Sequence, residues 1–159
     1  DTDTDTDTDT DTDTDTDTDT DLEIDTAMPW VDGAYLGDIE MDVEESTYGF
    51  NDTCIGKVEI EIEKTGTPQV QGEGKCEFTG KLVFLGSIDM DFVGSFVSAT
   101  EIEGDVAFVP SATSTTVTDS WEGEVDGTTL TGGFMGKEVV VIGTDKDDIT
   151  YMARFAASQ

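Results

Sequence analysis

Residues 57–64 read KVEIEIEK, and this stretch decides the fold. Its apolar residues alternate with glutamates at every second position. An extended chain would therefore present one apolar face and one acidic face, because successive side chains of a strand point to opposite sides. This period of two is typical of a β-strand with one buried face, whereas a helix needs a period near 3.6.

The same alternation recurs along most of the chain beyond residue 32. It is clear in LGDIEMDV at 36–43, SIDMDF at 87–92 and EIEGDVAF at 101–108. The continuous apolar runs KLVFLG at 81–86 and KEVVVIG at 137–143 predict strands that are covered on both sides or that turn a corner. Gly, Pro and Asp turn signals separate these segments, and no stretch has a helical period. The sequence predicts an all-β domain.

A short motif recurs six times: an apolar residue, any residue and a glycine, usually followed by a charged and an apolar residue. Its glycines are Gly37, Gly56, Gly80, Gly104, Gly123 and Gly136. A glycine within a strand permits a sharp bend or lets an aromatic ring lie over bare backbone. Two ordinary strands with their turns fit the spacing, so we interpret each unit as a hairpin. Kinks repeated in this way predict an antiparallel meander of eight to ten strands, closing into a barrel or sandwich over residues 32–159.

The only two cysteines, Cys54 and Cys76, lie on consecutive units of this motif. Their strand-like surroundings predict a disulfide that joins neighbouring strands, which implies an oxidising compartment. The alternative is a pair of buried thiols.

The first 21 residues are a strict Asp-Thr repeat with eleven aspartates and ten threonines. Such a segment cannot bury enough apolar surface to offset its conformational entropy, so we expect an extended arm that something else must order. Residues 22–31 would be a connecting segment or an exchanged strand. The apolar residues that could anchor this arm to a neighbouring subunit are Leu22, Ile24, Met28 and Trp30.

The hydroxyls of the repeat also form a dense array of candidate O-glycosylation sites. These threonines are Thr2, Thr4, Thr6, Thr8, Thr10, Thr12, Thr14, Thr16, Thr18 and Thr20. Asn51, in the sequon Asn51-Asp52-Thr53, is a candidate N-glycosylation site. Crowded sugars would stiffen the arm, as would divalent cations bridging the aspartates. The alternative is a solvated, self-repelling stalk that spaces the domain from a surface.

The chain carries 38 acidic and 7 basic residues, for a formal net charge of −31. Nucleic acid and anionic membrane surfaces are therefore poor partners, because both are bound through Lys and Arg. Cations, basic proteins and glycans are compatible with this charge. No apolar run approaches the length of about 20 residues that a membrane-spanning helix needs.

The sequence argues against an enzyme. It contains no histidine, which excludes a Ser-His or Cys-His nucleophile pair. Many carboxylates could form a glycosidase pair, but acids that alternate along strands are typical of a solvated face. No organic cofactor motif is present, so we expect none.

Calcium is the one metal for which the sequence offers ligands. In GTDKDDIT at 143–150, Asp145, Asp147 and Asp148 fall in an expected loop, and Ca²⁺ prefers carboxylate oxygens. The segment lacks the glycine and the distal glutamate of an EF-hand loop. An ordinary polar turn is the alternative.

The Asp-Thr repeat followed by a Gly-rich β domain resembles bacterial surface lipoproteins and extracellular proteins that carry acidic, Thr-rich tethers. The resemblance covers mainly residues 1–21, and no lipid-bearing cysteine precedes the repeat. It implies an exported protein at the cell surface or outside the cell, without enzymatic activity. The start at Asp rather than Met fits a processed chain.

Two non-enzymatic hypotheses follow. The first is a structural subunit of an extracellular filament or surface layer, a homopolymer in which the arm contacts neighbouring copies. The second is a β-barrel binding module for a small ligand or glycan, built in the manner of lipocalins or avidins, with the repeat as its stalk.

Overall fold

The computed structural model describes residues 29–111, 115–142 and 145–159. Eight antiparallel strands pair in chain order and the last pairs with the first, so the sheet closes into a barrel. The strands are β1 (Gly33–Glu45), β2 (Phe50–Ile62), β3 (Val70–Phe78), β4 (Ser87–Phe96), β5 (Glu101–Pro110), β6 (Val117–Asp126), β7 (Thr129–Ile142) and β8 (Asp145–Ser158). The predicted all-β meander is confirmed. The repeat with its threonines, and also Leu22, Ile24 and Met28, lie outside the described residues.

The pairing register makes this barrel narrow. A path through paired residues that starts at Gly33 and crosses all eight strands returns to β1 at Met41, eight residues further on. Eight strands with this stagger tilt by about 36° and enclose a space that side chains can fill. The hydrophobic core therefore lies inside the ring of strands.

Aromatic rings fill the middle of the barrel. The Phe92 ring lies 5.6 Å from the Trp121 ring and 5.6 Å from the Phe155 ring, between centroids, and it meets both at steep angles. Phe134 contacts the same ring at 6.2 Å. These four side chains are at most 4% exposed, and edge-to-face pairs of this kind add about 0.5–1.5 kcal/mol each beyond burial.

The indole of Trp121 lies over glycine backbone, as the glycine motif predicts. A Cβ atom at Gly104 would lie 1.9 Å from the Val93 carbonyl oxygen and 2.7 Å from Trp121 Nε1. One at Gly94 would lie 3.0 Å from the same indole. Trp121 Nε1 donates a hydrogen bond of 3.0 Å to the Val93 oxygen, so the ring is fixed as well as buried.

The interpretation of each motif unit as a hairpin is wrong. Five of the six motif glycines occupy inward positions on five different strands, one each on β1, β2, β5, β6 and β7. Gly80 instead lies in the connection between β3 and β4. The strands are up to 14 residues long. One strand with its turn therefore fills the distance between consecutive motif glycines, which the sequence pattern assigns to two shorter strands.

The segment 81–86 is not a strand either. Val83–Leu85 forms a short 3-10 turn between β3 and β4, and Val83 and Phe84 are 58% and 60% exposed. The register pairs Glu77 with Ser87, which leaves this segment as the connection. The other apolar run does belong to a strand, since β7 extends to Ile142, although Val139 is half exposed rather than covered.

Trp30 closes one end of the barrel. Its ring stacks on Phe96 with centroids 4.3 Å apart and planes 6° apart, and its Nε1 donates to the Ala99 carbonyl oxygen at 3.1 Å. The Gly127 amide donates to the Pro29 carbonyl at 2.7 Å, which holds the same segment against the β6–β7 turn. Trp30 is only 6% exposed, so this side chain is used by its own barrel and is not a free anchor for a neighbour.

The predicted disulfide is confirmed. Cys54 on β2 and Cys76 on β3 are bonded with their Cα atoms 5.3 Å apart, and both are fully buried. The bridge joins adjacent strands inside the barrel. For a loop of 22 residues, the chain-entropy estimate gives a stabilisation of about 3 kcal/mol.

The glycine contacts predict a sharp difference between two substitutions that add the same methyl group. Gly104→Ala should reduce the free energy of unfolding by about 2 kcal/mol or more, because its Cβ meets backbone of β4 that cannot move aside. Gly74→Ala should change it by less than about 1 kcal/mol, because the nearest atom is the Phe92 ring at 3.3 Å. Urea unfolding of both variants tests this, and equal losses would contradict it.

Candidate functional site

The end of the barrel opposite Trp30 holds an apolar cavity of about 250 Å³, which we call the mouth cavity. Its inner wall consists of inward-facing side chains near the strand ends. Met41, Val43, Ile88 and Phe108 belong to this wall, and each is at most 4% exposed. The cavity exists because the aromatic cluster fills the middle of the barrel but does not reach this end.

Exposed aromatic side chains surround the opening of the mouth cavity. Tyr48 and Phe84 are 62% and 60% exposed, and Phe50 is 38% exposed. All three line the cavity, and the Tyr48 and Phe50 rings stack with their centroids 5.9 Å apart. An exposed apolar patch around a cavity is a common mark of a binding site, since leaving such rings in water is unfavourable.

The turn that carries Tyr48 is held by a buried carboxylate. Glu45, at the end of β1, is 5% exposed and accepts hydrogen bonds from the backbone amides of Thr47 and Tyr48. Gly49 follows with a φ of 66°, a conformation that favours glycine. Glu45 is therefore satisfied by its own turn, and it positions the aromatic edge of the cavity.

The connection that carries Phe84 is held in a similar way. The Asp52 carboxylate accepts a hydrogen bond of 2.8 Å from the Leu82 amide. A Cβ atom at Gly80 would lie 2.5 Å from Asp52 Oδ1, which explains the glycine there. On the far side, Ser111 Oγ accepts from the Ser87 amide at 3.0 Å and donates to the Leu85 carbonyl at 3.3 Å. These bonds fix the 3-10 turn over the opening.

A second carboxylate faces inward just below the cavity. Asp119 on β6 accepts a hydrogen bond from the Tyr151 hydroxyl, whose side chain is 6% exposed. Burial and the neighbouring Asp119 carboxylate raise the pKa of Tyr151 well above its ordinary value near 10. A Cβ atom at Gly136 would lie 2.2 Å from Asp119 Oδ2, so the glycine makes room for this pair.

Glu138 on β7 is the remaining carboxylate of the cavity lining besides Glu45. It occupies an inward position two residues beyond Gly136 and is partly buried. Its charge also contributes to the raised pKa of Tyr151. Within the described ranges, no hydrogen bond or ion pair reaches the Glu138 carboxylate.

The other predicted site residues are scattered. Asn51 is an exposed residue of β2, so its glycosylation stays a prediction. The aspartates predicted to hold calcium in a loop, Asp145, Asp147 and Asp148, belong to strand β8, so the loop assignment is wrong. Asp148 forms an ion pair of 2.6 Å with Lys137. Among the described residues, no group of three carboxylates or cysteines is placed to hold a metal ion.

The outer wall also carries a broad groove across β2, β1, β8 and β7. It is lined by carboxylates such as Asp42 and Glu44 together with the exposed side chains of Ile55, Met135 and Met152. This groove is larger than the mouth cavity but is a depression between outward side chains. The mouth cavity has a continuous apolar lining and is the better candidate for a ligand site.

Sequence reasoning missed the mouth cavity. The signal available was the pair of apolar segments that interrupt the alternation, Tyr48–Phe50 and 81–86. The first segment leads into β2, whose first residue is Phe50, and the second connects β3 to β4. They meet at the same barrel end because β1, β3, β5 and β7 all finish there. Alternation tells which side chains face inward, but it does not tell which loops share an end.

Comparison of the chain with protein-family models, curated proteins and solved structures found no match. In the described part of the chain, no helix has the length and apolar character needed to span a membrane. The class that fold and cavity define is a closed eight-stranded β-barrel whose one end is plugged by Trp30 and whose other end, among the described residues, is open.

The raised pKa of Tyr151 predicts a loss of stability in alkali. Above about pH 10 the unfolded tyrosine releases its proton while the folded one keeps it, so the unfolding free energy falls by up to about 1.4 kcal/mol per pH unit. Tyr151→Phe removes this contribution. The stability difference between wild type and variant should therefore shrink from pH 9 to about pH 11, as urea unfolding would measure. A difference that stays constant over this range would contradict the assignment.

Proposed function

We propose that this protein is a non-enzymatic binding module that holds a small apolar ligand in the mouth cavity. One observation carries the proposal: an apolar cavity bounded by buried side chains opens between exposed aromatic rings at one barrel end, while Trp30 plugs the other. This arrangement gives a ligand one way in and a preformed apolar surface to cover.

The size of the mouth cavity limits the ligand. Its volume of about 250 Å³ corresponds to roughly eight waters at about 30 Å³ each, so it suits an alkyl chain of about eight carbons or a ring system of similar size. At about 0.8 kcal/mol per buried CH₂, eight groups give about 6 kcal/mol. Without any cost of association, about 6 kcal/mol corresponds to a Kd on the order of 10–100 µM, and the entropy lost on association weakens the affinity from there.

Contacts between a ligand and the aromatic rim should add to the binding affinity. The backbone that carries Tyr48 and Phe84 is held by the hydrogen bonds of Glu45 and Asp52, so binding does not have to order these two loops. A ligand that extends beyond the cavity would contact these rings.

The filament hypothesis stays a prediction, and two observations weigh against it. The described strands form a closed ring, so none offers the free edge to which a neighbour's arm could add a strand. Trp30 packs on its own barrel. We interpret the repeat as an acidic tether. The buried disulfide supports an extracellular location of the protein.

Filling the cavity should abolish binding. Val117 lines the cavity at the start of β6. Val117→Trp should weaken binding of the neutral fluorescent probe N-phenyl-1-naphthylamine at least tenfold, because the indole occupies the space for one ring system of the probe, whose other ring would extend to the rim. Val93→Trp, on the outer wall where Val93 is 46% exposed, is the matched control and should bind within twofold of wild type. Circular dichroism checks both folds.

Phe84→Ser is a second test variant. It leaves the core intact, because Phe84 is 60% exposed. It should weaken probe binding several-fold by removing one ring of the rim. If the full-length protein binds the probe equally well with and without the cavity-filling indole, the proposed function is wrong.

A further inference from the structure

We infer that the ligand of the mouth cavity is an apolar cation, an amphiphile with an ammonium head and an alkyl or aryl body. This inference rests on the proposed function and adds the charge of the ligand to it. It is carried by the contrast between the apolar wall of the cavity and the Glu138 carboxylate at its edge, which no donor reaches within the described ranges.

The carboxylates near the cavity are not equivalent. Glu45 accepts two backbone amides and Asp119 accepts the Tyr151 hydroxyl, so both are satisfied by the protein. Glu138 belongs to the same lining at the edge of the cavity, yet among the described residues no donor reaches it. A partly buried carboxylate favours a cationic partner, because a charged donor offsets its lost hydration.

The aromatic rim suits the same partner. Lys81 Nζ lies 5.9 Å from the centroid of the Phe50 ring, so this ring already accepts an ammonium group on its surface. The cavity lining itself contains no lysine or arginine. The other basic side chains near this end are Lys137, paired with Asp148, and Lys146, which is exposed. An ammonium head could therefore lie between Glu138 and the rim rings without meeting a basic side chain of the lining.

The charge of the whole chain disfavours an anionic ligand. A net charge of −31 attracts cations to the opening and repels anions. The head of a fatty acid would in addition lie beside Glu138, a like charge in partly buried surroundings. A neutral apolar molecule would fill the cavity but would leave Glu138 unpartnered.

Three ligands with eight carbons each and different head groups separate these cases. The full-length protein is loaded with N-phenyl-1-naphthylamine at neutral pH and 150 mM NaCl, and octylammonium, 1-octanol and octanoate are each used to displace it. We expect octylammonium to bind about tenfold more tightly than 1-octanol, and octanoate to bind more weakly than either. Methylammonium, which has the head without the body, should not displace the probe.

Two variants that each remove one negative charge test whether Glu138 causes the preference for octylammonium. Glu138→Gln should reduce the affinity ratio of octylammonium to 1-octanol to about one. Glu124→Gln removes the same charge from an exposed position on β6 near the plugged end and should leave this ratio close to tenfold.

The outcomes are distinct. Equal affinities of octylammonium and 1-octanol for wild type would overturn the charge assignment while leaving the proposed function in place. The charge assignment would also be overturned if Glu138→Gln kept the tenfold preference for octylammonium over 1-octanol, or if Glu124→Gln lost it to the same extent. In either case the preference would come from the overall negative charge of the protein and not from Glu138. Failure of 1-octanol to displace the probe would overturn the proposed function and this inference with it.

Discussion

The close approach of β-strands at inward-facing glycines is the constraint on which the rest of the structure depends. At Gly37, Gly56 and Gly104 an added Cβ would lie within 2.0 Å of a backbone oxygen on the neighbouring strand. Because the strands can coil this tightly, eight of them close with a stagger of only eight residues. The ring is then so narrow that Trp121 and the phenylalanines around it fill its middle, and in the described part of the barrel the mouth cavity lies at one end.

The acidic outer wall shapes both stability and recognition. Cross-strand neighbours of like charge, such as Glu103 opposite Glu122, repel each other, and the seven basic residues of the chain are too few to offset this. Exposed ion pairs such as Lys75 with Asp89 contribute little. The barrel therefore relies on its interior packing and its disulfide, while the surrounding negative field selects which charged molecules approach the mouth cavity.

Much of the fold could be predicted from the sequence, because inward and outward positions alternate so regularly. The antiparallel strands, a barrel as one of two expected architectures, and the disulfide of Cys54 with Cys76 follow from that pattern and from the glycines. The site could not be predicted in the same way. The sequence predicts Trp30 to be a free anchor, whereas the structure pairs it with Gly127. The sequence predicts a strand at 81–86, whereas the chain turns at Gly86. Both depend on contacts between residues far apart in sequence.

The most direct test of the account is an NMR titration of the ¹⁵N-labelled full-length protein with 1-octanol. The account predicts saturable shifts of backbone amides around the mouth cavity, at Tyr48, Leu82 and Val117, and none around the plug, at Trp30 and Ala99. Shifts confined to the outer wall, or no saturable shifts at all, would contradict the claim that this narrow barrel keeps one end open for an apolar ligand.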